Sequence, residues 1–128
     1  MYLDPNLIIF YVDNPQVSEQ FYERLFNSQP IQSSPTFVMF LLKSGMRLGL
    51  WSKHTVEPPA AANGGGSELS LQVQNDSLVD ELHTLWQKEN IQIAQAPTMM
   101  DFGYTFVALD PDNHRLRIFS LKLENSVS

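Results

Sequence analysis

Leu7-Ile8-Ile9-Phe10-Tyr11-Val12-Asp13-Asn14 and Glu68-Leu69-Ser70-Leu71-Gln72-Val73-Gln74-Asn75 are two statements of one pattern. Each is a β-prone run that reaches a valine and then a short polar turn. Each turn leads into an amphipathic stretch whose apolar residues fall four apart: Val17, Phe21 and Leu25 in the first, Leu78, Leu82 and Trp86 in the second. Further β-prone runs follow, closing on Leu48-Gly49-Leu50-Trp51 and on Leu116-Arg117-Ile118-Phe119. A repeat of this length predicts a duplicated βαβββ module. The expected fold class is α+β, with two paired βαβββ modules forming a curled mixed sheet around a cleft and the helices outside.

Local signals mark the boundaries. Asn14-Pro15 predicts a helix start, since Asn caps well and Pro suits the first helical turn. Glu19 is expected to complement the positive end of that helix, and Val17, Phe21, Tyr22, Leu25 and Phe26 to form its apolar face. Phe37–Leu42 and Met46–Trp51 read as strands joined by a turn at Lys43-Ser44-Gly45, with Ile31 in a short edge strand. Asn75-Asp76-Ser77 caps a second helix running to about Asn90. Ile91–Ala94 reads as a short strand, and Ala96–Asp101, with Met99 and Met100, as a loop over the cleft. Asp110-Pro111-Asp112-Asn113 is a strong turn before a last strand from His114 to Leu121, with Asn125–Ser128 expected to fray. The chain is read as one domain, 1–128, with module 1 at about 5–52, a linker at 53–66 and module 2 at about 67–123. The linker holds Pro58-Pro59 and Gly64-Gly65-Gly66 and is expected to be the most flexible stretch. Its glycines lack the Lys-Ser/Thr pair and the following helix that a phosphate loop requires.

Composition narrows the function. The 128 residues suffice for a packed core, and 43% are hydrophobic. A net charge of −6 argues against nucleic acid as a partner. No apolar run approaches a membrane span, and Met1–Pro5 has no basic start to a signal peptide, so the expected location is the cytoplasm. The absence of cysteine excludes disulfides, thiolate ligands and a cysteine nucleophile.

Two segments carry a family resemblance. Ser18-Glu19-Gln20-Phe21-Tyr22 and Phe106-Val107-Ala108-Leu109-Asp110-Pro111-Asp112-Asn113-His114 resemble the vicinal oxygen chelate superfamily, the glyoxalase and bleomycin-resistance fold, over essentially the whole chain. The resemblance implies paired βαβββ modules curling into a cleft, often completed by a second chain. It also implies a divalent metal held by four strands through His and Glu. Those positions map to Leu7, Gly49, Glu68 and Arg117. Leu and Gly offer no ligand atom, Arg is a permanent cation, and only Glu68 offers oxygen, whereas a catalytic site needs about three protein ligands. The three histidines, His54, His83 and His114, lie on separate elements, and His83 is expected off the apolar helix face. No catalytic residues, metal or cofactor are therefore expected.

Alternation along the strands then predicts what the cleft offers. With Leu7 inward go Ile9 and Tyr11; with Gly49 go Arg47 and Trp51; with Glu68 go Ser70 and Gln72; with Arg117 go Arg115 and Phe119. Trp51 is the expected stacking platform, with Gly49 leaving room for something flat beside it. Phe119, Tyr104, Phe106 and Tyr11 add wall, and Glu68 and Arg117 pair with each other or orient a polar substituent. Trp51 also fits a core role, Gly49 a close strand approach, and Gly103 a hinge. Arg47-Leu48-Gly49-Leu50-Trp51-Ser52 and Asp101-Phe102-Gly103-Tyr104-Thr105-Phe106 most resemble the phenazine-antibiotic-resistance branch of the superfamily. That resemblance implies a metal-free cytoplasmic homodimer that sequesters a planar aromatic small molecule. A metal-dependent glyoxalase- or dioxygenase-type enzyme with displaced ligands, and a module that has lost its ligand, are the alternatives.

Overall fold

The computed structural model describes residues 2–122, so the expected fraying of Asn125–Ser128 lies outside the described residues. Elements follow the order β1 (Leu7–Val12), α1 (Pro15–Phe26), β2 (Gln32–Ser33), β3 (Phe37–Leu41), β4 (Arg47–Ser52), β5 (Glu68–Gln72), α2 (Asp76–Lys88), β6 (Ile93–Met100), β7 (Gly103–Leu109) and β8 (Arg115–Leu121). This is βαβββ stated twice, and the chain divides into two compact units at Gly64–Gly65. Hydrogen bonding sorts the strands into two four-stranded mixed sheets, β1-β4-β3-β2 and β5-β8-β7-β6. In each, the first strand of the module pairs in parallel with the last, and the remaining pairs are antiparallel.

In the first unit, Asn14 caps α1 by accepting from the Gln16 amide at 3.1 Å, and Asn27 ends it in the left-handed region at φ 50°. The helix buries Pro15, Ser18, Phe21 and Tyr22. Val17, expected on that face, is 47% exposed, because one hundred degrees of rotation separates it from Ser18. Glu19 falls beyond the first turn and accepts from the Ser33 hydroxyl instead of serving the helix end. Phe10, Val12, Val38, Phe40, Leu48 and Leu50 form the buried face of the sheet. The expected flexible linker is partly core, since Val56 is buried and its amide bonds the Ser52 carbonyl at 3.1 Å.

In the second unit, Asn75 caps α2 by accepting from the Leu78 amide at 3.0 Å. The buried helix face runs through Val79 and Trp86, with His83 between them, so His83 is on the packed face and not off it. Its ring meets Phe106 edge-on at 5.4 Å, as does Trp86 at 5.4 Å. The stretch read as a loop over the cleft is strand: β6 continues through Ala96, Pro97, Met99 and Met100. Register shifts flank Gln95, and β6 is an edge strand, the setting that tolerates a proline without an N–H. Asp110 is buried, accepting from the amides of Asp112 at 2.8 Å and His114 at 2.9 Å, while Asn113 takes φ 67°. Gly103 is no hinge. It opens β7 at φ +152°, where a Cβ would come within 1.9 Å of the Ser120 carbonyl oxygen.

Candidate functional site

A helix covers one face of each sheet and leaves the other open. On the first sheet, the registers Leu7↔Arg47↔Leu41, Ile9↔Gly49↔Met39 and Tyr11↔Trp51↔Phe37 form three cross-strand rows on the open face. Most of these side chains are apolar, and Leu7, Ile9 and Tyr11 are 38%, 37% and 41% exposed. A contiguous apolar sheet face of this kind marks a surface that something covers.

Trp51 and Gly49 are adjacent on this face, but the space beside the indole is occupied. A Cβ on Gly49 would lie 2.9 Å from Cζ and 3.0 Å from Cε1 of Phe37, and 3.3 Å from Cγ1 of Ile9. Phe37 rests over the bare backbone of β4 and meets the Trp51 ring edge-on, with centroids 6.0 Å apart and planes at 88°. Gly49 therefore makes room for a residue of its own sheet, and the aromatic platform is a Phe37–Trp51 pair. Phe37 was legible as the antiparallel partner of Trp51 once the Lys43-Ser44-Gly45 turn fixed the register.

The open face of the second sheet is polar at its centre. Glu68, Ser70 and Gln72 of β5 lie beside Arg115, Arg117 and Phe119 of β8, with Thr105 and Val107 of β7 beyond. Arg117 donates through Nε to Glu68 at 2.7 Å, and through Nη1 to Thr105 at 3.2 Å and Gln95 at 3.4 Å. Its guanidinium lies 5.8 Å from the centre of the Phe102 ring, which meets Phe119 edge-on at 6.0 Å. Arg117 and Glu68, with side chains 17% and 32% exposed, are a half-buried ion pair with outward-facing polar atoms.

Two expected wall residues lie on the other face. Phe106 is fully buried between β7 and α2 against His83 and Trp86. Tyr104, two residues away and hence on the same side, donates to Asp80 of α2 at 2.7 Å. That acceptor raises the Tyr104 phenol above its ordinary value, because a phenolate would face a carboxylate. Tyr104 lines a separate surface cavity of about 580 Å³ with Asn75, Asp76, Met99 and Leu121. The alternation rule holds for β7, but aromatic type alone does not say which side of a strand is covered.

The metal positions implied by the fold do not fit a metal. Leu7 and Gly49 carry no donor, and the Glu68 carboxylate is engaged by Arg117. Among the described residues no group of three or more His, Asp or Glu side chains could hold a metal ion. His54 is paired with Asp13 at 2.8 Å on the surface of the first unit, a hydrogen bond that lowers the Asp13 carboxyl.

The family model of the Glyoxalase/Bleomycin resistance protein/Dioxygenase superfamily matches residues 5–118. The chain belongs to this superfamily. It is 31% identical over 122 residues to the phenazine antibiotic resistance protein EhpR of Enterobacter agglomerans, covering 93% of each chain. Among solved structures, it is similar to a protein of Agrobacterium tumefaciens determined in solution by NMR. That likeness has 50% identity, a TM-score of 0.85, and coverage of 94% of this chain and 99% of the other. A glyoxalase-related enzyme from Fulvimarina pelagi, at 18% identity and TM-score 0.81 over 93% of this chain and 88% of its own, shares the fold. Among the described residues no helix is long and apolar enough to cross a membrane.

Proposed function

We propose that the protein binds and sequesters a planar aromatic, antibiotic-like small molecule without a metal ion, as a cytoplasmic homodimer. The observation that carries this reading is the open face of the first sheet, where the Phe37–Trp51 pair stands among Ile9, Tyr11 and Met39. Such a face suits a flat apolar ring system, and stacking on an aromatic contributes about 0.5–1.5 kcal/mol beyond area burial. The full-length likeness to a phenazine antibiotic resistance protein supports the same ligand class. On the second sheet, Glu68 and Arg117 offer an acceptor and a donor for polar substituents, with Phe119 beside them.

The chemistry is binding, not turnover. A half-buried ion pair with both partners engaged has no free base, and nothing beside Trp51 activates a nucleophile. Isothermal titration of a panel of planar aromatics, phenazine included, before and after exhaustive chelation tests this. Equal saturable heats in both states support metal-free binding. Binding that appears only with restored metal, or conversion of the compound, returns the protein to the enzymes of its superfamily.

A further inference from the structure

The open face of the first sheet is apolar except at one end. Arg47 lies there between Leu7 and Leu41, and it is the one charged side chain in the three cross-strand rows. It is half-buried, and its Nε is shut off from solvent with no acceptor. Among the described residues no carboxylate lies within ion-pair distance of it. The contrast with Arg117, met by Glu68, Gln95 and Thr105, is sharp. An arginine cannot shed its proton to escape desolvation. A guanidinium held against aliphatic side chains without a counter-ion is an unfavourable arrangement that an arriving anion relieves.

We infer that Arg47 selects for an acidic substituent, so that the ligand is a planar aromatic anion with its rings toward Trp51 and its carboxylate at Arg47. This rests on the stacking reading above and gives it a substrate class. Arg47 and Trp51 are four residues apart on β4, about 13 Å along the strand. The ligand therefore extends along the strand: a fused-ring acid reaches both groups, and a single-ring acid such as benzoate does not. The guanidinium fork matches a carboxylate, and the apolar surround strengthens the pair.

The test uses phenazine and phenazine-1-carboxylate as a matched neutral and anionic pair, titrated by Trp51 fluorescence in a Trp86→Phe background. The expected result is an affinity for the carboxylate about tenfold or more above that for phenazine. Arg47→Gln should remove this preference by weakening the acid alone, Arg47→Lys should retain part of it, and benzoate should not compete. Thermal unfolding confirms that each variant is folded. If phenazine binds and the carboxylate has no advantage, stacking stands and the role of Arg47 is overturned. If Arg47→Gln weakens both compounds alike and the preference persists, Arg47 is held by a protein carboxylate and the inference also fails. If neither compound binds, the stacking reading falls and takes this inference with it.

Discussion

Gly49→Ala probes the packing that builds the aromatic platform. The backbone of Gly49 is not in the positive-φ region, so alanine is conformationally acceptable and any cost is steric. The new methyl would lie 2.9 Å from Phe37 Cζ, about half an ångström or more inside ordinary contact. The ring tip must swing off β4, giving up part of an edge-on contact worth about 0.5–1.5 kcal/mol, or stay and strain, at about 1–3 kcal/mol. Loss of glycine's freedom in the unfolded chain returns about 0.4–1 kcal/mol. The net expectation is destabilisation of about 1 kcal/mol, together with a shift in Trp51 emission as its edge-on neighbour moves. Urea unfolding of Gly49→Ala, Phe37→Leu and the double variant measures it, with Trp86→Phe throughout so that Trp51 alone reports. The methyl should cost about 1 kcal/mol less once the ring is gone, a coupling that double-mutant analysis resolves. An additive pair, or a Gly49→Ala protein as stable as wild type with unchanged emission, would refute the argument that Phe37 occupies the space above Gly49.

Gly103→Ala should destabilise by about 3 kcal/mol or more in urea unfolding, because at φ +152° its methyl meets the Ser120 carbonyl and β7 cannot begin where it does; a neutral effect would restore a hinge role. Glu68→Gln should cost about 0.5–1.5 kcal/mol, a modest loss because Arg117 keeps Thr105 and Gln95, and the loss should shrink in high salt. The Tyr104 phenol is raised from its ordinary 10.0 by bonding to Asp80, so its contribution to stability is present below that pH and fades as pH rises through the higher folded value. Tyr104→Phe should flatten the alkaline limb of a stability-pH curve measured between pH 8 and 11; an unchanged limb would contradict the assignment.

The duplicated fold was legible because its signals are local and occur twice. Asn14 and Asn75 each precede a helix and accept from its first amides, and Asp110–Asn113 turns as its residue types require. Alternation also placed Leu7, Ile9, Tyr11 and Trp51 on one face, and Glu68 beside Arg117. What alternation leaves open is which side of a strand a helix covers, and that misled the reading of Tyr104 and Phe106, which pack toward α2. Pro97 read as a break because sequence does not reveal that β6 is an edge strand, where a missing N–H is harmless. His83 read as peripheral because an imidazole is commonly solvated, yet at position i+4 from Val79 it joins the packed stripe against Phe106. Gly49 showed that a side chain was absent. Only the register of β3 on β4 shows that Phe37 fills the gap.

The central claim is a metal-free aromatic platform at Trp51. The direct measurement is fluorescence titration of the chelated Trp86→Phe protein with planar aromatic acids, in parallel with calorimetric titration of Trp51→Ala. The account predicts saturable quenching of Trp51 and loss of the binding heat in the alanine variant. Unchanged Trp51 emission throughout the panel, or a Trp51→Ala protein that binds as well as its parent, would contradict it.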